Sequence, residues 1–186
     1  PNRPFNNYGG NNFWPAPEGG RFGFNYEGDT WRVQSAINDQ PFQMQVMTDV
    51  RASAGKRTTL RNRAGTALDV VMQREFAAVP VPQFMTALAP KAALAYTVED
   101  CIDVVNRVRL EDALVASWTL EQFDASETTI SFARVARPHE AINFDFYEPP
   151  GERIMYATRG FFFRADSTQR GQIAVDIADA VSSVLP

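Results

Sequence analysis

The sequence predicts an all-β protein built from antiparallel sheets that pack face to face. Apolar and polar residues alternate at every second position in several segments, the spacing that sends side chains to opposite faces of a strand. Loop-forming residues separate these segments. Hydrophobic residues make up 45% of the 186 residues and charged residues 22%, so the chain can bury a core. We therefore expect a single β-sandwich domain over residues 1–186, with few short helices.

The first forty residues are predicted to be extended chain interrupted by turns. They contain eight aromatic residues among many Gly, Asn and Pro residues. Two glycine pairs, at residues 9–10 and 19–20, allow positive φ, and Pro15 and Pro17 keep the residues before them out of the helical region. A helix is not expected here.

Alternating segments then follow from Pro41 onward, and each is predicted to be a half-buried strand. Residues 53–56 predict a turn after the first of them, and Cys101 is expected to be a small buried side chain at the start of the third. The predicted apolar positions are Phe42, Met44, Val46 and Val50; Leu68, Val70, Met72 and Phe76; Ile102, Val104, Val108 and Leu110; Leu114, Ala116, Trp118 and Leu120; Ile130 and Phe132; Ile142, Phe144 and Phe146; and Ile173, Val175 and Ile177.

Two stretches have helical character. Residues 83–95 are rich in Ala, although Pro90 interrupts them, and residues 176–185 carry apolar side chains at roughly helical spacing. Both are predicted as short helices.

Composition excludes several classes of function. The formal net charge is −4 and no block of Lys and Arg occurs, so a nucleic-acid partner is not expected. A single cysteine and a single histidine exclude an intramolecular disulfide and a zinc site of several Cys and His ligands, whereas calcium binding by carboxylates stays open. No apolar run approaches the roughly 20 residues that span a bilayer.

Other properties stay open or are not expected. Neither a phosphate-binding glycine motif nor a GxSxG nucleophile elbow occurs, and nothing indicates an organic cofactor. The chain opens at Pro1, so an export signal could have been removed, and the compartment (periplasmic, extracellular or cytoplasmic) stays open. The sequence does not fix the oligomeric state either.

The most informative stretch is residues 6–20, which read NNYGGNNFWPAPEGG. It places aromatic rings, carboxamides and one carboxylate on an extended backbone that the glycine pairs allow to turn. A neutral sugar needs such a set, because its apolar faces lie on Trp or Tyr rings and its hydroxyls need donors and acceptors such as Glu18, Asn7 and Arg3. The alternative is that Trp14 and Tyr8 are core aromatics and that the Asn residues form turns.

Residues 6–10 and 13–20 together resemble the opening signature of an uncharacterised bacterial family in the galactose-mutarotase-like superfamily. Three later segments resemble that family in the same order. Residues 101–107 resemble a strand that ends in Asn, and residues 118–120 resemble a strand with a central Trp. Residues 164–166 and then 170–175 resemble a motif of charged residues that runs into a strand.

This resemblance implies a large antiparallel β-supersandwich whose concave face binds a saccharide. The fold usually needs a longer chain, so these 186 residues are expected to be a truncated or minimal version, or part of a longer supersandwich. Active aldose epimerases of the superfamily use a histidine as general acid and a glutamate as general base. The chain departs from them, because no His-Gly-Phe motif is visible and because Tyr8 stands where hexose-phosphate mutarotases carry Arg, which argues against a phosphosugar.

If the site is catalytic, we expect Glu18 or Asp166 to act with His139, the only side chain with an unperturbed pKa near neutrality. Each has a plain alternative: Glu18 is a solvated turn carboxylate, His139 an exposed loop residue, and Asp166 forms a surface salt bridge with Arg170.

We therefore expect a carbohydrate-binding protein without a cofactor. The alternatives are an aldose 1-epimerase-type enzyme and an accessory domain of a polysaccharide-processing enzyme. The expected saccharide-binding residues are Asn7, Tyr8, Trp14, Glu18 and Arg170, and the candidate catalytic residues are Glu18, His139 and Asp166.

Overall fold

The structure is a computed structural model that describes residues 10–87, 90–122, 126–143, 149–166 and 173–175. Antiparallel strands dominate these residues and the helices are few and short, so the predicted all-β class is confirmed. The chain divides into two compact units, Pro1–Gln122 and Phe123–Pro186. The expectation of one domain over residues 1–186 stays a prediction.

The first unit contains most of the strands. Its elements, in chain order, are β1 (Asn11–Ala16), β2 (Tyr26–Glu27), β3 (Thr30–Trp31), α1 (Ser35–Asn38), β4 (Gln43–Met47), β5 (Arg51–Arg61), β6 (Ala67–Ala78), α2 (Gln83–Ala87), β7 (Tyr96–Val104) and β8 (Ala116–Glu121).

A four-stranded antiparallel sheet in the order β4–β5–β6–β7 forms the centre of this unit. Strands β5 and β6 pair along the whole length of β5, from Arg51 opposite Ala77 to Arg61 opposite Ala67. Strand β1 pairs with β8 in a separate ribbon, and β2 pairs with β3 in a short hairpin.

Alternate residues of β6 form the centre of the core, as period-two spacing predicts. The same prediction is wrong for β4, where Met44 and Val46 were expected to be half-buried but are exposed. On β6, Leu68, Val70 and Met72 are at most 1% exposed. Residues from β1, α1 and the connecting loops complete the cluster on this face of the sheet. The other buried members are Phe13, Phe24, Val33, Ile37, Leu60 and Ala113.

The predicted turn at residues 53–56 is wrong, because these residues lie inside β5. A Cβ at Gly55 would lie 2.6 Å from Nε2 of Gln45, the end of an exposed, flexible side chain that can move aside. The chain instead turns at residues 48–51, where the backbone N–H of Thr48 donates to the carbonyl of Arg51 at 2.8 Å. The Thr48 hydroxyl oxygen accepts from the Arg51 N–H at 3.0 Å.

The helical predictions need two corrections, and a third prediction is not tested. A helix, α1, lies within the first forty residues, and its one buried side chain, Ile37, joins the core. Helix α2 ends at Ala87, well short of residue 95. Residues 176–185 lie outside the described residues.

Strand β4 is the edge of the central sheet within the described part of the chain. All five of its side chains are exposed, and none of them is charged. The register shifts between Met44 and Val46, which marks a bulge in the pairing with β5.

The second unit contains β9 (Ile130–Arg134), β10 (Ile142–Asn143), β11 (Ile154–Ala157), β12 (Gly160–Arg164) and β13 (Ala174–Val175). Strands β11, β12 and β9 form an antiparallel sheet in that order, and β10 pairs with β13. A cluster of Val135, Ala141, Ile142 and Phe161 is the core of this unit.

Several strand boundaries differ from the prediction. Strand β7 ends at Val104, so Val108 and Leu110 lie beyond it. Cys101 is exposed in the middle of β7, because it lies on the face opposite the buried one, and the expectation of a buried thiol is wrong. Although the thiol is exposed, partial desolvation by neighbouring atoms raises its pKa, and the nearby Asp103 carboxylate raises it as well. Phe144, Phe146 and Ile177 lie outside the described residues.

Candidate functional site

A cleft of about 350 Å³ opens between β1, residues 37–42 and strands β4 to β6. Its wall combines aromatic rings, carboxamides, a hydroxyl and one cation. The aromatic and polar side chains of the lining are Phe13, Trp14, Phe42 and Phe76; Asn11, Asn12, Asn38 and Gln40; Ser53; and Arg74.

Strand β1 supplies the aromatic and carboxamide side of this cleft. Phe13 is buried and its ring lies 6.2 Å from that of Phe42. Trp14, one of the residues predicted to bind a ligand, is half-buried and stands opposite Trp118 in register, with ring centroids 5.8 Å apart. Trp14 therefore packs against the core and lines the cleft at the same time.

Arg74 is the cation of the cleft, and its guanidinium is extensively bonded. Its Nε and Nη2 donate to the two carboxylate oxygens of Asp100 at 2.7 and 2.8 Å. Its Nη1 donates to the backbone carbonyl of Asn11 at 2.6 Å, and Nη2 also donates to Oδ1 of Asn11. The guanidinium lies over the rings of Phe13 and Phe76, at 5.4 and 5.1 Å from their centroids.

The pair between Arg74 and Asp100 links four strands. The side chains are only 13% and 5% exposed, so the pair is largely out of water. Asp100, on β7, also accepts a hydrogen bond from the hydroxyl of Thr119, on β8, at 2.7 Å. Together with Asn11 on β1, these hydrogen bonds connect the β1–β8 ribbon to β6 and β7. The Asp100 carboxylate also neutralises the positive charge of Arg74, which lines the cleft.

Lys56, on β5, lies beneath the opposite wall. It is 6% exposed, and its Nζ donates to the carbonyls of Ala36, Ile37 and Gln40 at 2.7, 3.0 and 3.1 Å. The ammonium also lies 4.6 Å from the centroid of the Phe42 ring. Burial lowers the pKa of Lys56 to about 8.

Glu18 lies in a tight loop that follows β1. The loop closes through backbone bonds from Phe24 to Pro17 and from Asn25 to Glu18, at 3.0 and 3.1 Å. Glu18 is half-buried, and this burial raises the pKa of its carboxyl group, which the neighbouring Asn25 side chain partly opposes. The side-chain amide of Asn25 is fully buried, and neither its nitrogen nor its oxygen makes a hydrogen bond of normal geometry.

Replacing Glu18 by Gln is expected to stabilise the protein at neutral pH. Folding raises the pKa of the Glu18 carboxyl group, so at a pH just above the ordinary value the native state binds more protons than the unfolded state. The free energy of unfolding therefore falls as the pH rises through this range. Glu18→Gln removes this loss. Urea unfolding of both proteins at pH 4 and pH 7 should show a gain in unfolding free energy that is larger at pH 7.

The exposed Glu27 of the same segment offers a control, since its carboxylate is paired only with the exposed Arg32 at 3.3 Å in the described structure, and such a surface pair contributes little. Glu27→Gln should give no comparable gain at pH 7. An equal gain for both variants would contradict the assignment of the effect to burial of Glu18.

Of the predicted site residues that the structure describes, Trp14 lines this cleft, and Glu18 is not among the lining residues. His139 and Asp166 belong to the second unit. The His139 side chain is exposed and its ring lies 4.2 Å from that of Tyr156, whereas Asp166 lies 4.0 Å from Nε of Arg164. Asn7, Tyr8 and Arg170 lie outside the described residues, as does Arg3. Their assignment as catalytic or binding residues stays a prediction.

Sequence reasoning missed Arg74, Asp100 and Lys56. A signal for the first two was present: the alternation of β6 and β7 places Arg74 and Asp100 on inward positions, where an apolar residue is expected. Opposite charges on inward positions of neighbouring strands indicate a buried pair. Lys56 follows Gly55 in a stretch with the composition of a turn, and no local signal points to its burial.

Comparison with protein families gives one match. The model of the family of unknown function DUF6786 matches residues 1–184. The chain belongs to this family. DUF6786 membership covers both compact units, so the cleft of the first unit and the sheet of the second are parts of one family sequence. No curated protein and no solved structure matches the chain.

The described residues of this DUF6786 protein include no helix with the length and hydropathy of a membrane span.

Proposed function

We propose that the cleft of the first unit binds a neutral saccharide. The observation that carries the proposal is the position of Trp14 beside Asn12 and Gln40 in one concave site. A pyranose has apolar faces that lie on an aromatic ring, and its hydroxyls need both donors and acceptors, which carboxamides supply. The cleft volume of about 350 Å³ falls in the range of small-molecule sites, roughly 300–1,000 Å³.

The charge of the cleft supports an uncharged ligand. Arg74 lines the site, but Asp100 compensates its charge through two hydrogen bonds. A ligand with a phosphate or carboxylate group would therefore meet a neutral pair instead of an unpaired cation. This agrees with the presence of Tyr8 at the position of the phosphosugar arginine.

A relation to the galactose-mutarotase-like superfamily is part of the same proposal. Phe13 and Trp14, which belong to the sequence signature of that resemblance, both line the cleft. The epimerase alternative, with Glu18, His139 and Asp166 as catalytic residues, is an outcome of the same experiments: polarimetry of any sugar that binds tests whether its anomers interconvert faster than without protein.

Trp14→Ala is expected to weaken saccharide binding by about tenfold, the equivalent of ~1.4 kcal/mol, because the ring face would be lost. The measurement is saturation-transfer NMR and calorimetry with a panel of neutral mono- and oligosaccharides. Trp31→Ala is the matched control, since Trp31 is 42% exposed and does not line the cleft.

Trp14 also packs on Trp118, so a second variant separates binding from folding. Gln40→Ala removes an exposed carboxamide from the cleft and leaves the core intact. It should weaken binding without lowering the melting temperature. If the wild type binds no sugar, or if Trp14→Ala and Gln40→Ala both bind as the wild type does, the proposal is wrong.

A further inference from the structure

We infer that Lys56 is a positioning residue of the cleft: its buried Nζ holds residues 37–42, which form one wall, and through this wall it sets the affinity for the ligand. The inference rests on the proposed function, because this wall lines the proposed saccharide site. It adds to that proposal a residue that touches no ligand but controls the shape of the site.

The wall has little stability of its own. Helix α1 has only four residues, and no side chain caps its N-terminus. An isolated helical turn is unstable in water, because the entropy lost in forming the first turn exceeds the free energy gained from its hydrogen bond. Residues 37–42 nevertheless contribute Ile37, Asn38, Gln40 and Phe42 to the cleft. Something outside the segment must therefore hold it.

Two side chains act as anchors. Gln34 fixes the start of the segment: its Nε2 donates to the carbonyls of Phe24 and Arg61 at 2.5 and 2.6 Å, and its Oε1 accepts from the Arg61 N–H at 3.0 Å. Lys56 fixes the part that lines the cleft. A lysine ammonium has three donors, and here all three reach carbonyls of residues 36–40.

Burial is the main influence on the pKa of Lys56, because the groups that contact its ammonium carry no charge. The residues that contact its Nζ, namely Ala36, Ile37, Gln40 and Phe42, carry no charge. Asp39 is exposed and accepts a hydrogen bond from Asn38. Arg74 lies on the same face of the sheet, but Asp100 compensates it.

The closed wall and the proton are therefore linked. With the wall closed, burial lowers the pKa of Lys56 to about 8, whereas with the wall open the solvated amine has its ordinary pKa of 10.5. The closed state thus binds fewer protons between these values, and raising the pH from about 8 to about 10 favours closure. The neutral amine keeps two of its donors for the carbonyls.

The first test needs no substitution. Amide exchange protection of residues 37–42, corrected for the intrinsic pH dependence of exchange, should increase by up to about tenfold per pH unit between pH 8 and 10. The Ile37 methyl resonance should titrate with the same midpoint as the Lys56 side chain.

The second test uses Lys56→Met, which keeps the length of the side chain but removes its donors. Protection of residues 37–42 and affinity for D-glucose, D-galactose or D-mannose, whichever the wild type binds, should fall by about tenfold or more. In this variant, the pH dependence of protection should disappear. Val70→Ala is the control for general destabilisation, because Val70 is fully buried but does not line the cleft.

The outcomes separate the two proposals. Sugar binding by the wild type with unchanged affinity and protection in Lys56→Met overturns the role of Lys56 and leaves the proposed function standing. If no sugar binds, the proposed function fails, and the exchange data alone decide whether Lys56 holds the wall. Protection that is flat or falls between pH 8 and 10 in the wild type overturns the inference.

Discussion

Asp100→Ala is expected to lower the free energy of unfolding by about 3–5 kcal/mol, because it leaves a buried guanidinium without its countercharge. Asp100 is 5% exposed on its side chain and accepts two hydrogen bonds from Arg74 and one from Thr119. The Arg74 guanidinium, 13% exposed, would lose two acceptors in an environment that water reaches poorly, whereas water can replace the acceptor of the exposed Thr119 hydroxyl. Urea unfolding, followed by circular dichroism, measures the loss.

The chain provides a matched control for this prediction on neighbouring strands. Arg51 and Glu75 form a pair of the same bidentate kind, at 2.7 and 2.5 Å, but the side chains are 53% and 30% exposed. Water replaces the lost contacts there, so Glu75→Ala should have a much smaller effect. Equal losses for the two variants would contradict the role of burial.

A double variant tests the cause of the loss. Arg74→Met combined with Asp100→Leu removes both charges and replaces them with apolar side chains of similar size. Such replacements are often neutral or stabilising, so most of the stability lost in Asp100→Ala should return. A double variant as unstable as Asp100→Ala would show that the hydrogen bonds to Asn11 and Thr119, rather than the unpaired charge, dominate.

Gly23→Ala is expected to lower the free energy of unfolding by about 1–3 kcal/mol, near the upper end of that range. An added Cβ would lie 2.6 Å from both the Glu18 carbonyl oxygen and the Gly19 carbonyl carbon. Both neighbours are backbone atoms, so the whole loop must move. The carbonyl of Gly23 also accepts from the Arg63 N–H at 2.9 Å, which docks the loop on the turn between β5 and β6.

Gly19→Ala is the control for this variant. A Cβ at Gly19 would meet only the Tyr26 hydroxyl at 3.9 Å, an ordinary contact. Thermal unfolding should show a large drop in melting temperature for Gly23→Ala and little change for Gly19→Ala. If both variants melt alike, close approach of the backbone is not the reason for glycine at position 23.

Alternation along the sequence predicted the central strands because the core faces only one side of the sheet. Leu68, Val70 and Met72 occupy every second position of β6 and are buried, as the pattern requires. The same pattern could not locate the turn before β5. Gly55 resembles a turn residue, but it lies inside β5, where it pairs with Gln43 of β4 and Gln73 of β6. Such pairing is not encoded locally.

The candidate site was predicted only in part for a similar reason. Trp14 was identified from its neighbours in the sequence, and it lines the cleft. Arg74 and the wall of residues 37–42 reach the same cleft from distant parts of the chain, and Lys56 contacts that wall from beneath. Their roles depend on which strands pair and which loop covers them, and neither composition nor spacing specifies that arrangement.

The uncharged edge strand β4 has a consequence for the behaviour of the protein in concentrated solution. On the side away from β5, its backbone groups pair with no other strand of the described residues, and its own side chains Met44 and Met47 are 58% and 72% exposed. Proteins commonly place lysine or proline on such edges to prevent strands of separate molecules from pairing, and here the bulge between Met44 and Val46 is the feature that interrupts a regular template. Solubility would therefore depend on that irregularity, and straightening β4 would promote aggregation.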